Sequence, residues 1–293
     1  MNENLIQRSF FPGDECIFFK IYCSERVSDT LLSGVIKDLS VSQLEMGHIS
    51  KWFFVRYYDP NPHLRLRYFI NRKETIGALI CDVKNLLQDF INQGLVWRIQ
   101  IDSYERELER YGKHNIENLE YIFFKESTMV IDVLNHLSNE QVELANDLKW
   151  KTCSLAIDTL LTGLQFNLKT KAELLRFLSS NFFMEFNDRS TLKDKLSQKY
   201  RENKIGLSQF LNENDSLYHK AVEAYSEGVI LHLKSIKQQN TAKNEFFNLC
   251  GSLIHMLCNR FFRSRQRLFE LVIYDIMFKY YQSLLLRTIK EGL

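Results

Sequence analysis

All three prolines of this chain, Pro12, Pro60 and Pro62, precede residue 63, so the 231 residues that follow contain no obligatory helix breaker. Past about residue 112 apolar residues recur at helical spacing. They predict helices near 114 to 136, 141 to 163, 169 to 184, 189 to 202, 214 to 239, 242 to 261 and 264 to 289. The polar stretches 186 to 190 and 202 to 206 read as connections, and the polar interval 185 to 215 as a mobile segment or lid.

The first hundred residues have a different texture. Residues 16 to 22 (CIFFKIY) are short and aromatic, which predicts a strand, and residues 27 to 39 carry a helical repeat opened by Ser28 and Asp29. Residues 52 to 68 (WFFVRYYDPNPHLRLRY) place two aromatic and aliphatic runs around Asp59-Pro60-Asn61-Pro62, a hairpin pattern. An amphipathic helix over 76 to 91 and an alternating strand over 96 to 104 complete a β-α-β-β-α-β order. The predicted class is α+β. A small N-terminal mixed β-sheet with covering helices (residues 1 to 112, hairpin 52 to 70) is followed by a large, mostly helical part (113 to 293) packed against it.

Composition limits the function classes. Thirty-eight basic against 36 acidic side chains leave a net charge of +2, which gives no global attraction to nucleic acid or to acidic membranes. The N-terminus lacks a basic segment leading into an apolar one, and no stretch approaches 18 uncharged apolar residues, so the expectation is a soluble, cytoplasmic protein. The six cysteines show neither C-x-x-C nor histidine pairs at ligand spacing and read as reduced, mostly buried thiols. No phosphate loop, nucleophile elbow, zinc spacing or dinucleotide fingerprint occurs, so neither a metal nor an organic cofactor is expected.

Three stretches could carry chemistry. In the hairpin, alternation puts Leu64, Leu66 and Tyr68 on one face and His63, Arg65 and Arg67 on the other, with Arg56 on the partner strand as a further cation. Guanidinium groups side by side suit a carboxylate or phosphate ligand. In residues 104 to 112 (YERELERYG), Glu107, Arg110 and Tyr111 share one side of a helical turn. In residues 246 to 260, Phe247, Cys250, Ile254 and Leu257 form a core stripe that continues to Phe261. His255 and Asn259 are left one turn apart, with Gly251 and Ser252 below as room for an approaching ligand. Histidine is the side chain best suited to proton transfer near neutral pH, so these stretches together read as an anion-handling site with one acid/base.

The succession W-F-F-V-R-Y-x-D-P-x-P-H-L-R-L-R, Y-x-x-E-x-E-R-Y-G, Glu126-Ser127 and H-M-x-x-N-R resembles the thiopeptide-type bacteriocin biosynthesis family, that is, the C-terminal glutamate-eliminating domain of lantibiotic dehydratases in stand-alone form. Lys113 and Leu257 stand where that family often has a glycine and a second histidine. The resemblance implies a lyase. It would remove glutamate from glutamylated Ser or Thr of a precursor peptide and leave dehydroalanine or dehydrobutyrine. Its partners would be that peptide and a separate glutamylating protein; a homodimer stays open. It implies catalytic roles for Arg65, Arg67, Arg110 and His255, with Arg56, His63, Tyr111 and Asn259 around the substrate. These residues are expected to converge on one pocket. Two other readings accompany it: a thiopeptide pyridine synthase, and a non-catalytic partner that binds the leader peptide.

Overall fold

The computed structural model describes residues 6–183, 189–240 and 242–290. The chain divides into two compact units, Met1–Ser138 and Asn139–Leu293. In the first, a short strand β1 (Ser9–Phe10) is followed by β2 (Cys16–Cys23), β3 (Ile49–Tyr58), β4 (Pro62–Ile70), β5 (Val96–Asp102) and β6 (Tyr104–Glu105). Strands β1 and β6 pair with each other, and the other four form a sheet in the order β3-β4-β2-β5. The α+β expectation is met and the β-α-β-β-α-β order holds. The sheet, however, is antiparallel throughout instead of mixed. Each helical crossover, β2 to β3 and β4 to β5, joins strands that run parallel but are next-but-one neighbours, with an antiparallel strand between them.

The sheet's two faces have different company. Trp52, Phe54, Leu64, Leu66, Tyr68, Ile17, Phe19 and Ile21 share one face and are buried. Helix α1 (Glu25–Leu31), a π-helical stretch over residues 32 to 36, α2 (Lys37–Glu45), α3 (Ile76–Leu86) and α4 (Gln88–Asn92) cover it. The cap of α1 is Ser24, whose Oγ accepts the Val27 amide at 3.3 Å, so Ser28 and Asp29 do not open the helix as the sequence suggested. Gly34, with φ −110° and ψ −109°, bends this helical run, which then continues to Glu45. After the four-residue α5 (Leu108–Tyr111), helix α6 (Ile116–Leu137) covers the β3 edge: the Phe54 amide donates to Ser127 Oγ at 3.2 Å. Helix α6 therefore belongs with the sheet, although its spacing alone places it with the helical part.

The second unit is helical: α7 (Val142–Gly163), α8 (Leu168–Phe183), α9 (Arg189–Asn212), α10 (Leu217–Gln239), α11 (Lys243–Phe261) and α12 (Gln266–Lys290). Five of these match the expected spans closely. The expected connection at 202 to 206 is instead interior to α9, because Leu196, Leu207 and Phe210 keep one apolar face buried across the polar stretch. Residues 186 to 188 of the other expected connection, and the first part of the proposed lid, lie outside the described residues. Among the described residues no helix is long and apolar enough to cross a membrane.

Candidate functional site

On the sheet face away from α1 to α4, strand register lines up Phe53, Arg67 and Phe18, then Val55, Arg65 and Lys20, then Tyr57, His63 and Tyr22. Alternation along β4 thus produces the expected row of His63, Arg65 and Arg67. It also excludes Arg56, which pairs with Leu64 and points to the opposite face. There Arg56 is buried, 2.6 Å from Asp29 and 2.5 Å from Ser28 Oγ, so these two residues of α1 serve as its counter-groups. Arg56 is a strut between sheet and helix on the covered face.

Arg67 is the unusual member of the row. It is 8% exposed, its guanidinium lies over the rings of Phe18 (4.3 Å), Tyr104 (4.6 Å) and Phe53 (5.3 Å), and burial pushes its pKa down. Its Nε is buried with no hydrogen-bond partner, and among the described residues none forms an ion pair with the group. A buried cation held by aromatic faces alone retains most of its capacity for an anion. Arg65 lies beside it, 3.3 Å above the Tyr57 ring, with Nε donating to His63 Nε2 at 3.3 Å. His63 Nδ1 donates to the Asn61 carbonyl at 2.9 Å, which leaves Nε2 as acceptor and requires a neutral ring. Burial pushes the His63 pKa down, and the charges of Arg65 and Lys20 push the same way. His63 is thus a buried support for Arg65.

Arg110 lies on α5. It is 3.3 Å from Glu107, and Glu107 also acts on Arg67 through its charge. Gly112, at φ +78°, ends this turn in a conformation that favours glycine. Tyr111 is buried, edge-on to Phe123 at 5.7 Å, and helps pack α5 onto α6. Below the row, Glu120 accepts a bidentate pair from Arg106 (2.7 Å each), Lys51 (2.8 Å) and the Tyr104 hydroxyl (3.1 Å). These cations are consumed internally; Arg65 and Arg67 are not. Sequence reasoning passed over Lys20, which register places beside Arg65 and which pairs with Asp102. It sits in an apolar strand where only the pairing of distant strands reveals its neighbours.

His255 and Asn259 belong to the second unit, one turn apart on α11. His255 is 29% exposed, and its Nδ1 meets the carboxylate of Glu270 on α12 at 2.9 Å. Asn259 donates to Gln266 Oε1 at 2.9 Å. The expected opening at Gly251 does not exist in that form: a Cβ there would lie 2.7 Å from Leu178 Cδ2, so α8 occupies the space. Among the described residues no three His, Cys, Asp or Glu side chains gather to hold a metal ion.

Comparison with known proteins gives these features a family. The chain is 26% identical over 271 residues to the subtilin biosynthesis protein SpaB of Bacillus subtilis, covering 88% of this chain and 24% of that protein. It is 23% identical over 274 residues to the nisin biosynthesis protein NisB of Lactococcus lactis, covering 92% and 26%. The chain therefore spans about a quarter of the length of these curated relatives. Its fold is similar to that of the tRNA-dependent lantibiotic dehydratase MibB from Microbispora sp. 107891, with a TM-score of 0.73, 20% identity and coverage of 94% of this chain and 29% of that one. It is also similar to that of TbtD, the pyridine synthase from thiomuracin biosynthesis, with a TM-score of 0.63, 14% identity and coverage of 92% and 99%. The family model for the C-terminal region of the lantibiotic biosynthesis dehydratase matches residues 17–281, and the chain belongs to that family.

Proposed function

We propose that this chain eliminates glutamate from glutamylated serine or threonine of a ribosomally made precursor peptide, working beside a separate glutamylating protein. The observation that supports this most is Arg67, a buried guanidinium that forms no ion pair among the described residues, next to Arg65. A glutamyl ester offers such a pair one free carboxylate, and a second is released as the Cβ–O bond breaks. In the reaction a base takes the Cα proton, the Cα–H electron pair becomes the Cα=Cβ double bond, and the Cβ–O bond breaks with glutamate leaving as a carboxylate. Arg65, Arg67 and Arg110 hold glutamate's carboxylates and stabilise the charge that develops, and His255 transfers a proton. Loss of one charge-assisted contact of roughly 1.5–3 kcal/mol slows such a step about tenfold to over a hundredfold.

Mass spectrometry of the precursor after incubation with this chain and its partner tests the reading. His255→Ala should leave glutamylation intact and block elimination, so peptide accumulates carrying one glutamyl residue mass per modified site instead of having lost one water. A second reading, pyridine formation, is supported by the likeness of fold to TbtD, the pyridine synthase from thiomuracin biosynthesis. Under that reading the variant instead yields fully dehydrated linear peptide without esters. Unmodified peptide from a folded variant beside an active partner would sink both and favour a leader-binding role.

A further inference from the structure

The carboxylate behind His255 has no place in the chemistry above. Glu270 is wholly buried, four residues into α12, an expensive position for an acid unless its charge is used. Its oxygens meet His255 Nδ1 (2.9 and 3.2 Å), Gln266 Nε2 (2.5 Å) and the Tyr274 hydroxyl (3.4 Å), with Arg267 at 3.9 Å. Gln266 is itself oriented: Asn259 Nδ2 donates to its Oε1 at 2.9 Å, which turns its amide nitrogen toward Glu270 and the His255 carbonyl. Burial and the nearby Glu270 charge hold the Tyr274 phenol well above its usual pKa, so it stays a donor.

We infer that Glu270 is a positioning residue for His255: it holds the ring by Nδ1, selects the tautomer protonated there, and leaves Nε2 as the proton-accepting atom. The step rests on the role given to His255 above. A carboxylate can accept but not donate, so Nδ1 must carry the hydrogen, and the lone pair of the neutral ring is confined to Nε2. Gln266 Nε2, 3.4 Å from Nδ1, is a donor facing a donor and does not compete. Among the described residues no group bonds Nε2, and the ring keeps part of its surface exposed while Glu270 keeps none. When Nε2 takes a proton, the imidazolium lies against a fixed negative charge. Asn259 then acts two contacts away, through Gln266, and this accounts for its spacing from His255 better than direct substrate contact does.

The experiment is a pH titration of the His255 ring followed by 15N NMR in the full chain, for wild type, Glu270→Gln and Glu270→Asp, with folding checked by circular dichroism. Wild type should show Nδ1 protonated in the neutral ring. Glu270→Gln should mix the tautomers and lower the titration midpoint, as expected on losing an opposite charge within hydrogen-bonding distance. The acid limb of the pH–rate profile should move with it, and Glu270→Asp should fall between. Unchanged tautomer and midpoint in folded Glu270→Gln would overturn the inference whatever happens to the peptide. Should Glu270→Gln fail to fold, folded Glu270→Asp, whose carboxylate is one methylene shorter and draws back from Nδ1, must still weaken the preference for protonation there, and an unchanged ring in that variant overturns the inference too. A shifted ring with a wild-type protein that forms no dehydrated residue would leave the positioning role standing and remove the elimination reading.

Discussion

At the scale of single residues, Arg56 and Arg67 differ by one strand and one face, and that difference decides what each can do. Arg56 pairs with Asp29, so Arg56→Ala leaves a part-buried carboxylate uncompensated and should cost about 1–3 kcal/mol of stability. Arg67→Met removes cation–π contacts worth about 0.5–2 kcal/mol each but also the several-kcal/mol burden of a buried charge. Its urea midpoint should hold or rise while glutamyl esters accumulate on the precursor. Equal losses of midpoint in the two variants would erase the distinction. His63 carries a pH signature. Its folded pKa is depressed by burial, so below the ordinary histidine value the unfolded chain binds the proton more readily. Stability should be full above about pH 6.5 and fall as pH drops through the lower folded pKa, releasing Arg65 from Nε2. His63→Gln should flatten that acid limb in denaturation midpoints taken between about pH 7 and 5.

At the scale of elements, close approach between helices fixes what the spacing of apolar residues leaves open. The α11 stripe of Phe247, Cys250, Ile254, Leu257 and Phe261 is buried as its period requires, yet Gly251 beside it is filled by Leu178 from α8. Gly251→Ala gains about 1 kcal/mol of helix propensity but drives a methyl into Leu178, and overpacking of this kind costs about 1–3 kcal/mol. The net effect should be destabilising. A double-mutant cycle with Leu178→Ala should show favourable coupling of about 1 kcal/mol or more. Additive effects would mean the two helices do not meet at that glycine. Helix α9 teaches the complementary lesson: three buried residues, Leu196, Leu207 and Phe210, carry a helix through a stretch whose composition reads as a loop.

At the scale of the molecule, a net charge of +2 coexists with a concentrated cationic face because the other cations are spent on internal partners. Arg106 and Lys51 go to Glu120, Arg56 to Asp29 and Lys171 to Asp158. The arginines of the row lie in the first unit and His255 in the second.

The sequence by itself determined the α+β class, the β-α-β-β-α-β order, most helix spans, and the row of His63, Arg65 and Arg67. Each of these follows from a period of 2 or 3.6 residues read over a short window. Tertiary structure decided the antiparallel sheet, the removal of Arg56 to the covered face, the placing of Lys20 beside Arg65, and the pairing of Glu270 with His255. Those depend on strand register and on which helices meet, and both are set by burying area from residues far apart in the chain. Local spacing carries no record of that partner choice, which is why a buried glutamate inside an apolar helix was legible only once α11 and α12 were side by side.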